Sequence, residues 1–166
     1  MMADIASMGG ELFVMDDGWF GDKYPRKNDS SSLGDWVVDK NKLPDGVKGL
    51  LSDAKKRGIK FGIWIEPEMA NTTSELYEQH PDWVLKAPER DLVLGRGGTQ
   101  VVLDFANPAV QDFVFGVVDN LMTSYPEIDY IKWDANMAVM NHGSQYLTKE
   151  NQSHMYIEYH RGFEKV

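Results

Sequence analysis

Three short stretches of this sequence set acids beside aromatic or basic residues: Asp16-Asp17-Gly18-Trp19, Trp64-Ile65-Glu66 and Lys132-Trp133-Asp134. Side chains alternate along an extended strand, so Lys132, Asp134 and Asn136 share a face for as long as the extension persists. A cation close to a carboxylate lowers its pKa and keeps it ionised. That is the state a carboxylate needs to attack carbon. A structural ion pair, or an aspartate capping the next helix, gives the same spacing, and spacing alone supports the chemical and structural readings equally.

Asp16 and Asp17 next to a tryptophan suit sugar recognition. Carboxylates accept hydrogen bonds from hydroxyls while an indole ring covers apolar C–H faces. Asp-Asp-Gly is also turn chemistry, the commoner source of such a pattern, and two acids are the minimum for a magnesium site. Alternation places Gly62, Trp64 and Glu66 on one face. A tryptophan at a strand mouth can wall a pocket, although a core position is its more frequent use. Gly95-Arg96-Gly97-Gly98 leads into Val101-Val102-Leu103 and not into a helix, so it is no phosphate loop, and Arg96 by itself carries no reading. His80, His142, His154 and His160 lack a metal-binding spacing.

The elements that must position these groups are legible in outline. Ala3 to Met8 reads as helix, stopped by Gly9-Gly10, and Leu12 to Met15 as a short buried strand. Gly21 to Pro44 is polar and aperiodic, a long loop of the kind that is often functional. Val47, Leu50, Leu51 and Ala54 have amphipathic helical spacing, ended by Gly58. Lys60 to Ile65 is a second strand, and Val101 to Phe105 a short extended segment. Asn107-Pro108 opens the clearest helix, with Val110, Phe113, Val114, Val117, Val118 and Leu121 as its apolar face. Tyr130 to Trp133 is the next strand, and a final helix begins near Lys149 with Met155, Tyr159 and Phe163 on one side.

Helices alternating with strands predict an α/β fold with a parallel sheet, either doubly wound or a (β/α)8 barrel. Both architectures put chemistry at the carboxyl ends of strands, where all three acid-bearing stretches fall. A barrel needs eight strands and about 200 residues or more. Three principal strands therefore predict that residues 1–166 are part of a catalytic domain truncated at both ends.

Bulk properties exclude several classes. The chain has 17 basic and 26 acidic residues, a net charge of −9, which leaves little electrostatic reason to bind nucleic acid or anionic lipid. Without cysteine it can form neither disulfides nor thiolate metal sites. No apolar run approaches the roughly 20 residues of a membrane span. The first ten residues carry an acid where a secretory signal wants base, so a cytoplasmic location is expected.

Seven stretches occur in order: F-V-M-D-D-G-W-F-G, S-S-L-G-D-W, K-L-P-D-G-V-K-G-L, K-F-G-I-W-I-E-P-E-M, H-P-D-W-V-L, L-D-F-A-N-P and Y-I-K-W-D-A-N. Together they resemble the catalytic domain of bacterial alpha-galactosidases of glycoside hydrolase family 36, from about Ala3 to past Asn136. The resemblance implies a (β/α)8 barrel, with this chain supplying about the second to fourth strands. It implies a retaining glycosidase that releases terminal alpha-galactose from melibiose- or raffinose-type sugars. By the same resemblance Asp134 is the nucleophile, Lys132 and Asn136 contact sugar, and Asp16 and Asp17 hold galactose hydroxyls. Trp64 and Trp19 wall the pocket, and Arg96 binds sugar. No metal or other cofactor is implied, the partners are alpha-galactosides, and a homo-oligomeric full-length form is expected.

The family's acid/base aspartate lies in an S-D-N-type motif after a later strand, and no such motif follows Asn136. The isolated chain is therefore expected to be inactive. Alternative readings are a galactosyl-transferring enzyme, an alpha-N-acetylgalactosaminidase, a non-catalytic galactose-binding remnant, or a metal-dependent α/β hydrolase using Asp16, Asp17 and Glu66.

Overall fold

A computed structural model describes residues 1–166. Its centre is a parallel sheet of β1 (Leu12–Met15), β2 (Lys60–Ile65) and β5 (Tyr130–Trp133), in the order β1-β2-β5. Phe13 lies beside Phe61, and Trp64 beside Lys132. These strands coincide with the expected ones because each is a short apolar run; β2, in the middle, buries five of its six residues, while β1 buries Phe13 and β5 is half-buried.

The helices follow their sequence signals. Helix α1 covers Met2–Ser7. Helix α2, Gly46–Arg57, buries Val47, Leu51 and Ala54 at helical spacing, places Lys55, Lys56 and Arg57 at the negative end of its dipole, and stops at Gly58 in the left-handed conformation (φ 68°). Helix α4, Pro108–Ser124, starts where the Asn107 side chain accepts a hydrogen bond from the Ala109 N–H. It buries Val110, Val114, Val117 and Leu121, with Phe113 and Val118 at the flanks.

Three features differ from expectation. The stretch after β2 contains β3 (Met69–Asn71), a short helix α3 (Glu75–Gln79) and β4 (Gln100–Val102), and β3 and β4 form a two-stranded antiparallel sheet. Strands of three residues ending in the buried polar side chains Asn71 and Gln100 leave no periodic signal. Of the expected extended segment Val101 to Phe105, only Val101 and Val102 lie in a strand, β4, which begins one residue earlier at Gln100; Leu103 bridges Val84. The final helix begins as a 3-10 turn, Lys149–His154, before α5 (Met155–Phe163), in which Met155 and Tyr159 are buried and Phe163 is 38% exposed.

The long loop from Gly21 to Pro44 has no helix or strand of its own beyond a bridge between Phe20 and Val38. It is nonetheless packed: Leu33, Ser32, Asp35 and Arg26 are buried, and Trp36 joins an aromatic cluster with Trp19, Phe20 and Trp64. No helix is long and apolar enough to cross a membrane.

Candidate active site

The carboxyl ends of β1, β2 and β5 bring the acidic stretches together. The Asp134 backbone N–H bonds the Ile65 carbonyl at 2.8 Å, which fixes the carboxylate just past the strand end. Its Oδ2 accepts from Trp64 Nε1 at 3.0 Å and from Asn136 Nδ2 at 2.7 Å. Oδ1 accepts from the Ala135 N–H at 3.1 Å. The Trp64 and Asn136 bonds hold the Asp134 carboxyl below its ordinary range, with smaller help from Ala135 and from the charge of Lys132.

Lys132 was expected to help keep Asp134 ionised. Its ammonium instead donates to Asp16 Oδ2 at 2.9 Å, and its effect on Asp134 is secondary. Through that bond Lys132 lowers the Asp16 carboxyl, while Asp16 raises the lysine. Lys132 and Asp16 thus form a solvent-facing ion pair beside Asp134.

Asp17 is held differently. Arg26, only 4% exposed, grips both oxygens as a fork, Nε to Oδ1 at 2.9 Å and Nη2 to Oδ2 at 2.7 Å. The same guanidinium donates to the Ser31 carbonyl and to Asn71 Oδ1. Asp29 accepts from Arg26 at 3.3 Å and from Arg96 at 2.8 Å, so Arg96, at a left-handed φ of 41°, joins the same chain of charges.

The tryptophans correct the expected pocket walls. Trp19 is fully buried, and its Nε1 donates to the Trp64 carbonyl at 2.8 Å. It borders a cavity beside Trp36, away from the Asp134 carboxylate, and has no solvent-exposed surface. Trp64 is 3% exposed, lying parallel to the Phe20 ring (interplanar angle 5°), and gives the site its indole N–H.

Arg26, Asp29 and Asn71 were not singled out as site residues in the sequence. They sit in aperiodic segments where nothing marks a lone arginine as buried. Glu66 was noticed only as one of several acids. It is 2% exposed, and its Oε1 accepts from both the Asn136 N–H (2.7 Å) and Asn136 Nδ2 (2.8 Å), while burial pushes its carboxyl up. Lys132, Arg26 and Asn136 thus engage Asp16, Asp17 and Glu66 separately, and no three His, Asp or Glu side chains gather in a group that could hold a metal ion. A cavity of about 640 Å³ between Trp36–Val38 and α4 contains none of these carboxylates.

An α/β chain with ionised and hydrogen-bonded carboxylates at the ends of parallel strands has the general form of a polar-ligand or glycosidase site. The melibiase family model matches residues 1–166, and the chain belongs to that family. It is 43% identical over 161 residues to alpha-galactosidase AgaA of Geobacillus stearothermophilus, covering 97% of this chain and 21% of that protein. It is 48% identical over 141 residues to a probable alpha-galactosidase C of Aspergillus oryzae, covering 81% of this chain and 18% of that protein. The alpha-galactosidase of Lactobacillus brevis superposes with a TM-score of 0.91 at 41% identity, over 99% of this chain and 21% of that one. An AgaA variant in complex with raffinose superposes equally well, TM-score 0.91 at 40% identity, over 99% of this chain and 22% of that one. The chain thus spans about a fifth of the length of these relatives.

Proposed function

We propose that this chain carries the nucleophile half of a retaining alpha-galactosidase site, within a (β/α)8 barrel in which β1, β2 and β5 are about the second to fourth strands. Residues 1–166 are then part of one catalytic domain. The observation that carries the reading is the Asp134 carboxylate: at a strand end, held ionised by Trp64 and Asn136, and flanked by the Lys132–Asp16 pair. The family membership and the raffinose- and stachyose-bound AgaA variants support alpha-galactosides as substrates.

In this mechanism Asp134 attacks the anomeric carbon as the glycosidic bond breaks, forming a glycosyl-enzyme. A second carboxyl group about 5 Å away protonates the leaving oxygen and then deprotonates the water that releases galactose. Glu66 is unsuited to that second role, being buried and committed to Asn136. Asp16 is held as a carboxylate by Lys132 and Asp17 is fixed in place by the Arg26 fork, and both side chains offer oxygens that can accept hydrogen bonds from sugar hydroxyls. The acid/base group is assigned to a later part of the polypeptide. Arg96, Lys132 and Asn136 complete the sugar contacts, Trp64 contributes its N–H, and no metal takes part.

The test uses the full-length protein and an aryl alpha-galactoside, whose leaving group needs no acid. Asp134→Ala lowers kcat by roughly 10⁴-fold or more, and added azide restores aryl release while yielding beta-galactosyl azide. An azide product of alpha configuration, or an Asp134→Ala enzyme with near-normal turnover, contradicts the proposal.

A further inference from the structure

Asn136 lies three residues beyond the last residue of β5, in a segment without regular structure, so no strand ladder fixes its side chain. Yet its amide is held firmly. Nδ2 stands between two carboxylates, 2.8 Å from Glu66 Oε1 and 2.7 Å from Asp134 Oδ2, while the Asn136 backbone N–H reaches the same Glu66 oxygen at 2.7 Å. An amide nitrogen has two hydrogens, and here each carboxylate receives one. The reversed amide would aim its oxygen at two carboxylates and lose both bonds. Glu66, together with Asp134 itself, therefore fixes which way round Asn136 stands.

Glu66 is the buried member of this chain, 2% exposed at the end of β2. A buried carboxylate is tolerated only where donors compensate it, and the two N–H groups of Asn136 are its donors. The arrangement runs from buried Glu66, one residue past β2, through the Asn136 amide to the half-buried Asp134 carboxylate. It also leaves Asn136 Oδ1 as the group free to meet a ligand, which makes Asn136 an acceptor toward a sugar hydroxyl.

We propose that Glu66 is a positioning residue for the reaction: it orients Asn136 so that the amide donates to Asp134 Oδ2 and offers its oxygen to substrate. This rests on Asp134 being the nucleophile. Glu66 touches neither the reacting carbon nor the sugar, and its effect passes through Asn136.

The experiment is a double-mutant comparison in the full-length protein with nitrophenyl alpha-galactoside. Glu66→Ala lowers kcat/KM roughly 10- to 100-fold, with the loss mainly in kcat, and Asn136→Ala lowers it by a similar factor. The two losses do not multiply: Glu66→Ala combined with Asn136→Ala stays within about threefold of Asn136→Ala alone. Glu66→Gln, which keeps an oxygen for both donors, retains activity within about fivefold of the parent.

Losses that multiply, or a Glu66→Ala enzyme that melts earlier but turns over normally, overturn the proposal. Should Glu66→Ala fail to fold, Glu66→Asp withdraws the acceptor by one methylene. A loss of about tenfold that vanishes in the Asn136→Ala background supports the role, and no loss, or the same loss in both backgrounds, rejects it. Asp134→Ala run alongside separates the two levels. Full activity there defeats the nucleophile reading itself, whereas inactivity rescued by azide leaves that reading standing and Glu66 judged alone.

Discussion

Asp134 and Asp104 each follow a strand, one residue after β5 and two after β4, yet the chain treats them in opposite ways. Asp134 faces solvent at the mouth of the parallel sheet, with two side-chain N–H donors lowering its pKa. Asp104 is fully buried; it accepts from the Ser144 hydroxyl and the Ala106 N–H, and burial raises its carboxyl above the ordinary range. Ser144 in turn anchors the segment after the site, receiving the N–H groups of Tyr146 and Leu147. A strand-end aspartate is therefore not a functional signal in itself. What separates the two is whether the donors around the carboxylate leave it open to a ligand or seal it into the fold.

Exchanging the two roles by mutation gives the largest contrast. Asp104→Ala strands the Ser144 hydroxyl and the Ala106 N–H in the interior and destabilises the full-length protein by about 2–4 kcal/mol, read by denaturant unfolding. Asp134→Ala, at a half-buried position open to solvent on one side, changes stability by less than about 1 kcal/mol while abolishing turnover. Equal stability losses at both positions would erase the distinction.

The pH dependence of stability has opposite signs at the two sites. Asp104 keeps its proton longer in the fold than in the unfolded chain, so its contribution falls as pH rises from the ordinary carboxylate range through its raised value, and stays low above it. Asp134 is held low, so its contribution is present above the ordinary range and is lost as pH falls through its depressed value. Asp104→Asn removes the descending limb and Asp134→Asn removes the acid-side rise, as measured by melts across pH 3 to about 7.

A smaller effect sharpens the picture at Asp17. Arg26→Lys replaces a bidentate fork by a single ammonium, and KM for an alpha-galactoside rises about 5- to 20-fold with kcat nearly unchanged. A fall in kcat with KM unaltered would place Asp17 closer to the chemistry than this account does.

Much of the frame was legible in the sequence because it rests on periodicity. The three parallel strands are short apolar runs, α2 and α4 bury apolar residues at helical spacing, and Asn107-Pro108 and Gly58 mark helix ends by their own backbone chemistry. Strands β3 and β4 were not legible, since three residues cannot show a period and each has a buried polar residue, Asn71 or Gln100, at one end. In the site, alternation correctly placed Lys132 and Asp134 at one strand end. It could not show that Lys132 reaches across to Asp16, more than 100 residues earlier in the chain, and leaves Asp134 to Trp64 and Asn136. Long-range partners are a property of the packing. The same limit hid Arg26, and it hid the full burial of Trp19, whose Nε1 donates to the Trp64 carbonyl.

The central claim is that Asp134 forms the covalent bond to galactose. The direct measurement is trapping of the full-length protein with a 5-fluoro-galactosyl fluoride, followed by peptide mapping. The account predicts one galactosyl adduct, on Asp134. An adduct on Asp16, Asp17 or Glu66, or turnover with inversion and no adduct at all, would contradict it.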